Sequence, residues 1–194
     1  MANKPTVTVV GAGLAGSEAT WQLIRRGFPV RLIEMKPVKF SPAHKSAGFA
    51  ELVCSNSLKA EQMSNASGVL KAEMRALDSL ILRCALESRV PAGGALAVDR
   101  DRFSGLITEA IKSSPLVTFE TGVVDAIPDA PCIIATGPLT DPALVNAIES
   151  LPGAKSLHFF DAAAPIVTAE SLNMDKVFRA SRYDRGSDYL NCPM

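Results

Sequence analysis

The hydrophobic pattern of the first 34 residues predicts a strand, a helix and a second strand. Residues 6–10 form a continuous β-branched run of threonine and valine, as in a buried parallel strand. Apolar residues then recur at helical spacing over residues 14–26, and Gly27 is suited to end that helix. Residues 29–33 predict the second strand, which Glu34 closes. Connections this short make the two strands parallel.

Further along the chain, a long polar loop precedes more helices and strands. Residues 35–65 show weak periodicity, and a loop that long in a compact domain is usually functional or mobile. Helical spacing returns over residues 67–89 and 101–112, and Asp99 or Asp101 can cap the second of these helices. Strands are predicted at 116–120, 123–124, 132–135 and 156–160, with a helix from Asp141 to about residue 151. The order of elements indicates an α/β protein.

Composition and charge narrow the class of protein without identifying a partner. The chain has 194 residues, 47% of them hydrophobic, and its 20 basic and 20 acidic side chains cancel. These values are typical of a globular domain, and zero net charge gives no global attraction to nucleic acid or to a membrane. The four cysteines form no CxxC pair, so no metal site is expected. No signal peptide and no membrane span is apparent, and we expect a cytoplasmic protein.

The segment between the first strand and the first helix has the G-x-G-x-x-G motif of a dinucleotide-binding turn. It reads Gly11-Ala12-Gly13-Leu14-Ala15-Gly16. Gly11 allows a tight turn, Gly13 lets a pyrophosphate approach the backbone, and Gly16 lets helix and strand pack closely. Phosphates there would face the amino end of the helix, which favours negative charge. Glu34 lies 21 residues after Gly13, where its carboxylate can bind both ribose hydroxyls of an adenosine and would repel the 2′-phosphate of NADP.

A second motif bears on which dinucleotide would bind. Residues 133–137 read Ile-Ile-Ala-Thr-Gly. An apolar run that ends in Thr136 and Gly137 is similar to the late motif of flavoproteins that bind two dinucleotides, in which a strand returns beside the FAD site. The alternative is an ordinary strand that ends in a turn. Together the two motifs favour FAD over NAD.

A thiol lies among small polar residues after the dinucleotide unit, in the stretch ELVCSNS. Cys54 could serve as a nucleophile if a nearby base or a helix amino terminus stabilised its thiolate. His44 lies ten residues upstream and His158 is distant, so neither marks a partner. The residues alone therefore favour an inert, half-buried thiol.

Six segments of the chain, taken together, are more specific than any one motif. They are GAGLAGSEA, FAELVCSNSLKA, RVPAGGALAVDRDRFS, IIATGPLT, FFDAAAPIV and SRYDRGSDYLNCPM. In these segments the chain resembles the bacterial folate- and FAD-dependent tRNA (uracil-5-)-methyltransferases, in register over essentially its whole length. A more distant likeness is to the flavoproteins that modify the wobble uridine of tRNA.

The resemblance implies a fold and a reaction. The fold is a Rossmann-like FAD-binding domain of glutathione-reductase type, a parallel sheet flanked by helices, covering residues 1–153 with a helical insertion at 35–93. A second, truncated region begins at 154. The reaction transfers a one-carbon unit from methylenetetrahydrofolate to C5 of a T-loop uridine in tRNA, with FAD reduced by NADH or NADPH. Cys54 matches a family cysteine that lies near the flavin, whereas Cys192 is expected to be structural.

Some features limit what the resemblance implies. Family members are about twice as long, and no Gly-Asp element follows the Ala-Thr-Gly motif. We therefore expect an N-terminal fragment that binds FAD weakly or not at all and does not methylate tRNA alone. A general FAD or NAD oxidoreductase domain and a nucleotide-binding module without chemistry remain alternatives.

Two loose groups of basic residues could contact the phosphates of tRNA. Because the net charge is zero, we instead expect both groups to lie on a solvated surface. They are Lys36, Lys39, His44 and Lys45, and Arg179, Arg182 and Arg185.

Overall fold

Strands and helices alternate along most of the chain in the structure, a computed structural model that describes residues 4–152, 168–180 and 190–191. In chain order the elements are β1 (Val7–Val10), α1 (Leu14–Arg25), β2 (Val30–Glu34), β3 (Ser57–Ala60), α2 (Ala66–Ala76), α3 (Leu80–Glu87), β4 (Arg89–Val90), β5 (Ala95–Val98), α4 (Arg100–Lys112), β6 (Val117–Thr121), β7 (Cys132–Ile134), α5 (Pro142–Glu149), a short 3-10 helix (Ala169–Ser171), β8 (Phe178–Arg179) and β9 (Leu190–Asn191). The α/β class predicted from the sequence is confirmed.

Four strands form a parallel sheet in the order β6, β2, β1, β7. Every residue of β1 is buried, and in β2 only Arg31 is exposed. Such continuous burial is expected of parallel strands, because helices cover both faces of their sheet. Val9 and Leu32, on the two central strands, have no exposed surface. The expected parallel sheet flanked by helices is therefore confirmed.

A second, antiparallel sheet has the strand order β3, β5, β4. The sequence pattern predicts none of its strands. β3 lies in the segment expected to be a loop, and β4 and β5 lie on either side of Pro91-Ala92-Gly93-Gly94. Strands of two to four residues are too short for a two-residue period to be visible.

The prediction of one helix over residues 67–89 is wrong, because the chain turns between α2 and α3. Asp78 has a φ of +53°, and Ser79 is the N-cap of α3. Glu18 on α1 accepts hydrogen bonds from Ser79 Oγ at 2.7 Å and from the amide of Ile81 at 3.0 Å. Packing against α1 therefore fixes the start of the new helix, although the apolar repeat continues across the break.

The remaining predictions have mixed outcomes. β6 lies within one residue of the predicted strand, and α5 begins after Asp141, whose side chain accepts a hydrogen bond from the amide of Ala143. Residues 123–124 belong to no strand, so that prediction is wrong. The strand predicted at 156–160 lies outside the described residues. Among the described helices, none combines the length and apolar character needed to cross a membrane.

One hydrophobic core joins the parallel sheet to helices α1, α3 and α4 and to part of the predicted loop. Phe49 and Ala50 lie in that loop and have no exposed surface. The ring of Phe49 makes an edge-to-face contact with Phe119 of β6, with 5.2 Å between the ring centroids. The middle of the loop is thus anchored in the core, a few residues before Cys54.

Candidate dinucleotide-binding site

The Gly-rich turn lies between the end of β1 and the start of α1. Gly11 has a φ of +95°, and its amide donates a hydrogen bond to the carbonyl of Ile33 at 2.8 Å. A Cβ atom at Gly11 would lie 2.7 Å from the carbonyl oxygen of Ala135, and one at Gly16 would lie 1.8 Å from that of Gly11. Backbone conformation and close packing therefore require glycine at positions 11 and 16.

Gly13 differs from these two glycines, because a Cβ atom there would meet nothing within 4 Å. Gly13 is the N-cap residue of α1, no side chain caps this helix end, and its first turn contains no acidic residue. The first amides of a helix have no partner within the helix. Leu14 and Ala15, which begin α1, are exposed. The open space above Gly13 is thus accessible to an anion such as a pyrophosphate.

Glu34 ends β2 and directs its carboxylate to the Gly-rich turn. Oε2 accepts a hydrogen bond from the amide of Ala12 at 2.7 Å, and Oε1 accepts one from the amide of Lys36 at 3.0 Å. Glu34 is only 5% exposed. The G-x-G-x-x-G motif does not predict that Glu34 also stabilises the turn through these hydrogen bonds. Each carboxylate oxygen can accept a second hydrogen bond, so bracing the turn is compatible with binding a ribose.

A cavity of about 380 Å³ lies at the carboxyl ends of the parallel strands, where α/β proteins bind ligands. Of the ten residues predicted from the sequence as the dinucleotide site or as the nucleophile, seven line it: Gly11, Gly13, Leu14, Glu34, Cys54, Thr136 and Gly137. Ala12, Ala15 and Gly16 are not part of the lining. Ala12 and Gly16 are buried beneath the turn, whereas Ala15 is exposed on α1.

The Thr136–Gly137 motif reaches the same cavity from β7. The amide of Ala135 donates to the carbonyl of Val10 at 2.8 Å, which holds the motif beside the Gly-rich turn. Gly137 has a φ of +71°, a conformation that favours glycine. Thr140 Oγ1 donates to the carbonyl of Gly137 at 2.8 Å and shares a hydrogen bond of 2.6 Å with Thr136 Oγ1. The two motifs therefore meet at one site.

Three polar side chains line the cavity between Glu34 and Cys54, and the sequence placed none of them there, although it singled out Lys36 and His44 as basic residues. Lys36, His44 and Glu51 all contribute to this wall. Assigning Lys36 to a solvated surface is wrong, because it is 4% exposed and its Nζ lies 3.4 Å from Glu51 Oε2. In the sequence, only the position of Glu51 in the ELVCSNS stretch could have pointed to the Lys36–Glu51 pair.

Apart from His44, which is half-buried and lines the cavity, the other described basic residues of the two groups fit the solvated interpretation. Lys39, Lys45 and Arg179 are exposed, and Lys39 pairs with Asp141 at the start of α5. Arg182 and Arg185 lie outside the described residues. Lys36, which is buried, and His44, which is half-buried, are therefore the described members of these groups that do not lie on a solvated surface.

Cys54 is exposed and lines the cavity, so the expectation of a half-buried thiol is wrong. Cys84 and Cys132 are also free, and Cys192 and His158 lie outside the described residues. Burial raises the pKa of the Cys84 thiol, which makes it unreactive. Among the described cysteines, Cys54 is the one that faces the cavity.

His44 makes the stability of this wall depend on pH. Its Nδ1 shares a hydrogen bond of 2.6 Å with Ser41 Oγ. Burial, and then the charge of Lys36, hold the pKa of His44 below its ordinary value of 6.5. The unfolded chain consequently takes up a proton at higher pH than the folded chain, so acid favours unfolding as the pH falls through about 6.5.

We expect the urea midpoint of the wild-type chain to fall between about pH 7.5 and about pH 5.5, and to fall less in His44→Gln. Glutamine keeps a polar side chain at this position but binds no proton. Urea unfolding of both proteins across this range measures the difference. The same pH dependence in both would contradict a depressed His44 pKa.

The parallel sheet, the glycine turn at an uncapped helix and the acidic residue at the next strand end define a Rossmann-like α/β domain. The sequence profile described as glucose inhibited division protein A matches residues 6–194, and the chain belongs to this family.

Two relatives carry the name that the sequence resemblance suggested. The chain is 61% identical over 190 residues to methylenetetrahydrofolate–tRNA-(uracil-5-)-methyltransferase TrmFO of Listeria welshimeri, covering 97% of this chain and 44% of that protein. It is 56% identical over 195 residues to the protein of the same name from Shouchella clausii, covering 100% of this chain and 45% of that protein. The resemblance is confirmed, and the chain spans less than half the length of these relatives.

Similarity to solved structures is weaker. The crystal structure of CtdE in complex with FAD and a substrate covers 77% of this chain and 40% of its own, with 17% identity and a TM-score of 0.47. Similarity at this level supports no conclusion about the chemistry of this chain.

Proposed function

We propose that this chain is the FAD-binding part of an enzyme that transfers a one-carbon unit from methylenetetrahydrofolate to C5 of a T-loop uridine in tRNA. The observation that carries the proposal is that Gly13, Glu34 and Cys54 line one cavity. The residues proposed to bind the nucleotide thus share a cavity with an exposed thiol, in a chain 56–61% identical to TrmFO proteins. We also propose a cytoplasmic location and a domain over residues 1–153, with an insertion at 35–93 and a second region from 154.

The residues around the cavity fit FAD. The space at Gly13 and the amides at the start of α1 would take the pyrophosphate. Glu34 would bind the adenosine ribose with its remaining lone pairs, and Thr136 and Gly137 would lie on the β7 side. FAD, when bound, supplies the electrons that turn the transferred carbon into a methyl group. NADH or NADPH would reduce it from another place, because the adenosine ribose of FAD would occupy the position beside Glu34.

Cys54 is proposed as a catalytic residue because it is exposed in this cavity. C5 of uracil is a weak nucleophile. A thiolate that adds to C6 converts the ring to an enolate, whose C5 can attack the one-carbon donor. Loss of the C5 proton and departure of the thiolate from C6 then restore the C5=C6 double bond and the free thiol. The base must leave its stack to be reached, and an exposed thiol at a cavity mouth is accessible to such a base.

The test is formation of 5-methyluridine by the complete gene product that carries this sequence. Purified, flavin-loaded protein is incubated with tRNA, methylenetetrahydrofolate and NADH or NADPH, and the digested tRNA is analysed by mass spectrometry. We expect methylation by the wild type and a loss of about a hundredfold or more in Cys54→Ala. Cys132→Ala, on β7 and outside the cavity lining, is the matched control and should keep its activity.

Absence of 5-methyluridine with flavin-loaded wild type would refute the proposal. Oxidation of NADH or NADPH that is equal in wild type and Cys54→Ala, without methylation, would instead identify a general oxidoreductase domain. Nucleotide binding without either activity would identify a module with no chemistry of its own.

A further inference from the structure

The Gly-rich turn and the segment that carries Cys54 are joined at Ala12. The amide of Ala12 donates to Glu34, and its carbonyl accepts from the amide of Ala50 at 2.8 Å and from Ser17 Oγ at 3.1 Å. Ala12, Ala50 and Ser17 have no exposed surface. Ala50 has a φ of +50°, which is uncommon for alanine, so its surroundings hold it in this conformation.

A nearly buried ion pair makes a second connection between the same two regions. The amide of Lys36 donates to Glu34, whereas its Nζ donates to the carbonyl of Gly48 at 2.8 Å and lies 3.4 Å from Glu51 Oε2. The Lys36 side chain is 5% exposed and that of Glu51 16%. Lys36 therefore links the strand end that bears Glu34 to a point three residues before Cys54.

The same carboxylate also organises the loop before it. Glu51 Oε1 accepts hydrogen bonds from the amides of Lys45 at 2.9 Å and Ser46 at 3.1 Å. On the other side, α4 holds Phe49, whose carbonyl accepts from Ser104 Oγ at 2.6 Å. Phe49 is thus held on α4 without any contribution from Lys36. The Lys36–Glu51 ion pair is an additional contact, and it lies in the wall of the cavity.

We propose that Lys36 and Glu51 are positioning residues that hold Cys54 at the mouth of the dinucleotide cavity. The inference rests on the proposed function, because it assigns the pair a task only if nucleotide and thiol act together. Neither side chain needs to contact a reacting atom. Loss of Lys36 leaves Glu51 without its counter-charge in a nearly buried position, which costs more than loss of both charges.

The experiment compares Lys36→Met, Glu51→Gln, the double variant and Lys39→Met in the complete gene product. Lys39 is the matched control, because it is an exposed lysine of the same loop that pairs with Asp141 instead. Hydrogen exchange reports on the amides of residues 45–54. Alkylation of Cys54 by iodoacetamide, followed by mass spectrometry, is measured without FAD and at saturating FAD.

We expect exchange over residues 45–54 to rise about tenfold in Lys36→Met and to stay unchanged in Lys39→Met. FAD should slow alkylation of Cys54 in the wild type and Lys39→Met, and this protection should be lost in Lys36→Met although FAD is bound. The double variant should unfold at higher urea than Lys36→Met while still lacking protection. Glu51→Gln keeps an acceptor for the loop amides and serves as the second variant if Lys36→Met does not fold.

Unchanged exchange, or full protection by FAD, in both Lys36→Met and Glu51→Gln would overturn the inference. Failure of the proposed function gives a different result, in which FAD does not bind the wild type or flavin-loaded wild type forms no 5-methyluridine. In the first of those cases, the exchange measurement alone still decides whether Lys36 and Glu51 hold the segment.

Discussion

Gly13→Ala is expected to fold as stably as the wild type and to lose most of its affinity for FAD. Gly13 has a φ of −69°, which alanine adopts without strain, and the added Cβ would meet no protein atom within 4 Å. That Cβ would, however, occupy the space in which we propose that a pyrophosphate approaches the start of α1. We expect the Kd for FAD of the complete gene product to rise about tenfold or more, measured by flavin fluorescence titration.

Gly16→Ala is the matched control, because we expect it to lose the stability that Gly13→Ala keeps. Its Cβ would lie 1.8 Å from the carbonyl oxygen of Gly11, a backbone atom that cannot move aside without shifting β1 or α1. We expect a loss of about 3 kcal/mol or more in the free energy of unfolding, measured with urea. Unchanged FAD affinity in Gly13→Ala would place the phosphates elsewhere. Unchanged stability in Gly16→Ala would contradict the close packing of α1 on the turn.

The Gly-rich turn and the elements beside it could be predicted because their determinants are local. A β-branched run, a helical repeat and a glycine with positive φ each act within a few residues, and Gly27 indeed has a φ of +74°. The same holds for the Asp141–Pro142 start of α5. In such segments the same few neighbouring residues produce the sequence pattern and determine the backbone conformation.

The parts that could not be predicted depend on contacts between distant residues. The break before α3 is fixed by Glu18 and Ser79, which are 61 positions apart. The small antiparallel sheet forms by pairing short strands that have no pattern of their own. In the sequence, nothing distinguishes Lys36 from other loop lysines, because its contacts with Gly48 and Glu51 exist only in the folded chain. Pairings of this kind require the three-dimensional arrangement.

Glu34→Ala is expected to lose both stability and FAD affinity, because its carboxylate accepts two backbone hydrogen bonds at the turn. The amides of Ala12 and Lys36 would lose their acceptor, and the amide of Ala12 is buried. Hydrogen bonds to a charged acceptor suggest a cost of about 2–4 kcal/mol in the free energy of unfolding. The turn would keep the backbone hydrogen bond from Gly11 to Ile33 of β2 but would lose the contact that holds Ala12, so we expect the Kd for FAD to rise by about tenfold or more.

Glu120→Ala separates this effect from the general loss of an acidic side chain. Glu120 lies on β6, next to β2, and makes a two-point contact with Arg31 at 2.9 and 2.7 Å on the exposed surface. The hydrogen bond from Arg31 lowers the pKa of Glu120, but exposed ion pairs contribute little to stability. We therefore expect its urea midpoint to stay near that of the wild type. If Glu34→Ala lost FAD affinity but no stability, its carboxylate would act on the ligand alone, and the shape of the turn would not depend on it.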